Sequence, residues 1–153
     1  VIQSVRQNAP CVVLDLPHMW TEWVQQTLMT ASEVLIVCQP DLASLRNGKA
    51  MIDRLTAGRP NDVAPRLVIN MAGVPKRPEI PVKDFASAIG VEPEIILPFE
   101  PQLFGTAANN GQMISETEPP AKPSLAIDHL ASSLTGKAVR AAEKSLIQKL
   151  LGK

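Results

Sequence analysis

Short apolar runs recur along the chain: Cys11 to Leu14, Val34 to Cys38, Leu67 to Ile69 and Ile95 to Leu97. Each is uninterrupted rather than alternating, the pattern of strands buried on both faces of a parallel sheet. Each also ends at a polar residue or a proline, namely Asp15 and Pro17, Gln39 and Pro40, Asn70, and Pro98. Between the runs the apolar positions change to a helical period. A helix over 21–31 places Trp20, Trp23, Val24 and Leu28 along one face. Asp41 stands at an N-cap position before a helix over 42–57, whose buried stripe is Leu45, Ile52 and Leu55, and Gly58 and Pro60 end it. Further helices are predicted over 82–89, 102–109 and 125–134, with Asn110-Gly111 supplying a turn. Strand and helix alternate, which predicts an α/β fold: a three-layer parallel sheet with flanking helices.

Open sheets of this kind bind ligands at the carboxyl ends of their strands. Asp15 is predicted at such an end, with Pro17 stopping the strand two residues later. This is the layout of a Walker B strand, whose carboxylate helps to hold the magnesium of a bound nucleotide. A loop or N-capping aspartate is the alternative. The Trp20/Trp23 segment that follows is either core and contact surface or a nucleotide-sensing switch.

Composition narrows the partners. Lys plus Arg and Asp plus Glu are 15 each, so the net charge is zero, and aromatics are 3% with no tyrosine. Neither a basic nucleic-acid surface nor a base-stacking platform is indicated, and no nucleic acid is expected as partner. Cys11 and Cys38 lie in apolar runs and read as buried small hydrophobes, and His18 and His129 have no ligand spacing around them. No apolar stretch approaches the roughly 18 residues of a membrane span, so a cytoplasmic location is expected. Residues 116–123 hold three prolines and read as a linker. The stretch 137–153 sets Val139, Ala142, Leu146, Ile147, Leu150 and Leu151 among five Lys or Arg, an amphipathic basic helix.

A phosphate-binding loop needs glycines followed by Lys and Ser or Thr. Gly48-Lys49 and Gly136-Lys137 are each followed by alanine, and neither qualifies. This chain alone is therefore expected to be inactive toward ATP. The opening Val1 suggests an N-terminally truncated segment.

Several segments together resemble the deviant-Walker P-loop NTPases related to MinD and ParA, and among them the CpaE/TadZ proteins of type IVb (Flp/Tad) pilus assembly. They are residues 12–18, 40–47, 68–70, 73–81 and 96–111, within a likeness that covers about residues 9–134. The resemblance divides the chain into 1–134, the C-terminal portion of a MinD/ParA-like ATPase domain, and 135–153, the basic helix. It implies ATP and Mg as cofactors, available only with an upstream phosphate loop. Asp15 would be the catalytic, metal-holding carboxylate, and Pro17 and His18 would open the switch. Asn70 would bind the adenine edge, and Pro98, Phe99 and Glu100 would wall the base. The implied function is pilus assembly and localisation, with pilus-machinery proteins as partners and a homodimer in the full-length form. The terminal helix would allow peripheral membrane contact, at the inner face of the membrane or the cell pole. A non-catalytic scaffold with a degenerate nucleotide site is the alternative, and a chromosome-partitioning protein shares the fold.

Overall fold

The computed structural model describes residues 8–118 and 120–137. Helix α1 (Glu22–Thr30) is followed by β1 (Leu35–Cys38), α2 (Leu42–Gly58), β2 (Arg66–Ala72), α3 (Val82–Ile89) and β3 (Pro93–Pro98). Helices α4 (Pro101–Asn110), α5 (Ile114–Thr117) and α6 (Lys122–Thr135) complete the described chain. The three strands pair in parallel in the order β1-β2-β3. Each consecutive pair is joined by one helix, as parallel neighbours require.

Local chemistry fixes these elements. The Asp41 carboxylate accepts the Ser44 N–H at 2.7 Å and so caps α2. Gly90, at φ 83°, ends α3 in the left-handed conformation that glycine adopts without a Cβ penalty. Pro101 and Pro123 sit in the first turns of α4 and α6, where a missing N–H costs nothing.

Two apolar layers hold the sheet. On one face Cys38, Leu67 and Ile69 pack with Ile52 of α2 and with Phe85 and Ile89 of α3. On the other, Val68, Ile95 and Leu97 pack with Leu130 of α6. The expected three-layer arrangement is therefore present. Helix α2 comes so close to β1 that a Cβ on Gly48 would stand 2.7 Å from Cys38 Sγ and 3.1 Å from Ile89 Cδ1. Helix α1 is tied on by Arg59, a buried guanidinium that donates to the carbonyls of Leu28 (3.0 Å) and Ala31 (2.7 Å) and to Asp62 (2.8 Å). A cation at those last carbonyls also complements the helix dipole. At the opposite end from the strand tips, Arg66 of β2 bridges Glu33 before β1, Glu94 of β3 and Ser133 of α6.

Three expectations are corrected. Residues 11–16 form no strand: Val13 is 89% exposed, and Leu14 and Cys11 are exposed with it. A parallel strand is stable only in a ladder, and among the described strands none pairs with this run. The apolar run of β1 is not buried on both faces either, since Val37 is 60% exposed. Strand β1 forms one edge of the sheet, whereas α6 packs against β2 and β3. The proline-rich segment is not a bare linker, because α5 runs into it and α6 starts within it. The predicted basic helix lies outside the described residues beyond Lys137.

Candidate functional site

The register of the ladder assembles a corner at the carboxyl end of the sheet. Cys38 faces Ile69 across β1 and β2, so Asn70 is the next residue of β2 beyond that last β1 pairing. Ala72 faces Pro98 across β2 and β3, and the Phe99 N–H extends the contact by donating to the Ala72 carbonyl at 2.8 Å. Asn70, Pro98 and Phe99 are all half-buried, and Glu100 follows exposed at the N-cap of α4. The ladder thus places an amide on the tip of β2 and a proline and an aromatic residue at the end of the neighbouring β3.

The amide is oriented. Asn70 Oδ1 accepts the Met71 N–H at 2.8 Å, and Met71 has φ 56°, a left-handed conformation uncommon for any residue with a side chain. Such backbone persists only where its surroundings hold it. Here the holding group is a loop. The Glu79 carboxylate accepts the N–H groups of Gly73 (2.9 Å) and Val74 (3.0 Å) and a guanidinium N–H of Arg77 (2.9 Å). These bonds, the Gly73 backbone foremost and Arg77 next, hold the Glu79 carboxyl below the usual glutamate range. Arg77 also donates to the Met71 carbonyl and, at 2.7 Å, to Gln39 Oε1 just past β1. Ile80 N–H closes the loop onto the Pro40 carbonyl at 2.8 Å. In the sequence Arg77 and Glu79 stand only as members of the matching segment 73–81, with no role of their own. The available signal was an arginine and a glutamate two residues apart in a loop stiffened by Pro75, Pro78 and Pro81, directly after a strand tip.

Asp15, Pro17 and His18 stand apart from this arrangement. All three are exposed, and no ladder ties their segment to the β1–β3 rim. The Met19 N–H donates to the Pro17 carbonyl at 2.7 Å, which turns the chain tightly toward α1. Beyond the turn, the Arg54 guanidinium lies 5.2 Å over the half-buried Trp20 ring, while Trp23 is exposed. Among the described residues no group of three or more His, Cys, Asp or Glu could hold a metal ion. A nucleotide's magnesium does not need one, since it is held by one or two carboxylates plus the phosphates. Asp15 could supply one such carboxylate, and Asn70 has the donor and acceptor that an adenine edge needs. Cys38 is not a candidate nucleophile: burial first and Asp41 second push its thiol up to about 11.

Comparison with known proteins bears on the fold. The structure superposes on MinD of Aquifex aeolicus in a MinC:MinD cell division complex with a TM-score of 0.63 at 22% identity, covering 81% of this chain and 51% of that one. A ParA-family ATPase of Chlorobium tepidum matches at 0.58 and 18% identity, over 76% of this chain and 46% of that one. The fold is that of the MinD/ParA P-loop NTPases. In sequence, a septum site-determining protein MinD of Emiliania huxleyi is 26% identical over 146 residues, which is 91% of this chain and 51% of that protein. No family model matches. Sequence and structural neighbours alike point to the MinD/ParA superfamily, and the chain spans about half the length of these MinD/ParA relatives. Among the described residues no helix is long and apolar enough to cross a membrane.

Proposed function

We propose that this chain carries the base-binding and switch part of a MinD/ParA-type ATP-dependent positioning factor, and that the process it serves is type IVb pilus assembly. The observation that carries the nucleotide reading is the corner at the strand tips, where the register brings the β2 tip with its oriented Asn70 amide alongside the end of β3 that carries Pro98 and Phe99. In this reading Asn70 pairs with the adenine edge, Pro98 and Phe99 wall the base, and Glu100 closes the rim. Asp15 engages magnesium, directly or through water, and Pro17 and His18 pass the state of the γ-phosphate to α1. The phosphate-binding loop comes from sequence upstream of these residues. When bound, Mg-ATP supplies the phosphoanhydride that water cleaves. Nucleotide-driven dimerisation then presents the switch to pilus-machinery proteins, at the inner membrane face or the cell pole. The pilus assignment rests on the long matching segments 73–81 and 96–111.

The test is binding of a non-hydrolysable ATP analogue to the complete natural protein, with and without magnesium. Magnesium-dependent binding is expected, and Asp15→Ala should lower the apparent magnesium affinity by about 10–100-fold, the usual cost of disturbing a metal's surroundings. Absence of binding by the folded protein would replace this reading with a non-catalytic docking module. The observation favouring that second reading is the exposed indole of Trp23, 51% accessible on α1.

A further inference from the structure

We infer that Arg77, braced by Glu79 and Gln39, sets the preference of the Asn70 corner for adenine over guanine. The inference rests on the nucleotide reading above and adds a residue that does not itself touch the base.

The argument follows the proton donors. An asparagine amide can pair with a base in two orientations related by a half-turn about its terminal bond. In one, Oδ1 accepts from the adenine amino group while Nδ2 donates to a ring nitrogen. In the other, the donor and acceptor are exchanged, and the amide suits the guanine edge, whose oxygen accepts and whose ring N–H donates. The Met71 N–H, 2.8 Å from Asn70 Oδ1, selects the first orientation, because a flipped amide would set an NH2 group against that N–H. A carbonyl oxygen has two lone pairs, so Oδ1 retains one for the base.

The Met71 N–H belongs to the peptide between Asn70 and Met71, and with β2 fixed before it and the Met71 carbonyl fixed after it, the plane that aims the N–H at Asn70 is the one that gives Met71 φ 56°. Nothing in a methionine side chain favours that conformation. What holds it is Arg77, whose guanidinium donates to the Met71 carbonyl and, at 2.7 Å, to Gln39 across the gap between the β1 and β2 tips. Glu79 fixes the guanidinium in turn at 2.9 Å, and is itself seated on the N–H groups of Gly73 and Val74. The chain of control therefore runs from Glu79 to Arg77, to the Met71 peptide, to the Asn70 amide. A forked, planar guanidinium is required, since a lysine ammonium cannot reach two carbonyl oxygens and a carboxylate in those directions at once.

The experiment measures the affinities of the complete natural protein for non-hydrolysable ATP and GTP analogues, with inorganic triphosphate as a probe of the phosphate site alone. The variants are Arg77→Lys, Arg77→Ala, Gln39→Ala and Asn70→Ala. The wild type should prefer the adenine analogue. Arg77→Lys and Arg77→Ala should lower the ATP-to-GTP ratio about tenfold, the scale of one bidentate base contact, with triphosphate affinity unchanged. In the Asn70→Ala background, Arg77→Lys should change the ratio no further, which a merely structural role for Arg77 would not produce. If Arg77→Ala does not fold, Arg77→Lys and Gln39→Ala give the same reading. A ratio retained in the Arg77 variants but lost in Asn70→Ala overturns the inference and leaves the nucleotide reading standing. A wild type that binds triphosphate without base preference, or binds no nucleotide, overturns both.

Discussion

Single residues in this fold matter most where the backbone leaves them no alternative. Gly48 is the sharpest case. Its place in the middle of α2 is unfavourable by propensity, about 1 kcal/mol relative to alanine in a free helix. The packing explains it, because a Cβ there would lie 2.7 Å from the sulfur of Cys38, itself buried under the helix. Forcing an extra methyl into a filled core costs about 1–3 kcal/mol. The clash outweighs the propensity gain, and Gly48→Ala should destabilise the protein by about 1 kcal/mol net, measured by urea denaturation. Cys38→Ala combined with Gly48→Ala should recover part of that loss, since it removes the atom that the methyl meets. An alanine variant more stable than the wild type would show that β1 and α2 separate at little cost. The sequence displayed Gly48 plainly, but as an incomplete phosphate-loop motif. Only the approach of helix to strand gives it a reason.

Elements were legible where their ends carried chemistry. Asp41 announced α2, and the helix predicted over 82–89 has those bounds in the structure, between Pro81 and the left-handed Gly90. The run at 11–16 failed because an apolar pattern reports what a segment could bury, not whether a partner strand is there to receive it. The loop over 73–81 was opaque for the opposite reason: its order comes from charged side chains bonding to backbone, which leaves no periodic trace. That loop should respond to acid as a unit. The Glu79 carboxyl is held below its ordinary value of 4.5 by the Gly73 and Arg77 bonds. Its contribution is therefore complete above the ordinary value and is lost as pH falls from there through the lowered one. Amide exchange at Gly73 and Val74 should stay slow, relative to intrinsic rates, down to about pH 5 and accelerate selectively below it. Glu79→Gln should remove the pH step and leave these amides fast throughout. Uniform acceleration across α3 and β3 as well would mean that acid opens the whole domain rather than the loop.

At the scale of the molecule the sheet is tied at both ends by an arginine. At the carboxyl end Arg77 joins the tips of β1 and β2 around the candidate base site. At the other end Arg66 gathers Glu33, Glu94 and Ser133, and so joins β1, β2, β3 and α6. The parallel alternation that predicts the fold says nothing about either tie, since both depend on register: Leu35 opposite Arg66, and Leu67 opposite Pro93. The two differ in what they protect. Arg66 lies far from the strand tips along the same ladder, so its loss should lower stability without altering the base corner. Its ion pairs are partly solvated, with side chains 22–32% accessible, so each falls between a surface bridge and a buried one. Arg66→Met, which keeps the aliphatic stem against the sheet, should cost about 1–2 kcal/mol. It should lower the urea midpoint with an unchanged slope. The Glu94 carboxyl is held down by the Ser133 hydroxyl first and by Arg66 next. Part of this tie is therefore also lost as pH falls below the ordinary glutamate value, and the wild type and Arg66→Met should converge in stability toward acid. Nucleotide preference in Arg66→Met should match the wild type, whereas Arg77→Lys should shift preference more than stability. If Arg66→Met shifts the ATP-to-GTP ratio as far as Arg77→Lys does, the corner is sensed through the whole sheet, and the local chain of control from Glu79 to Asn70 is not what sets it.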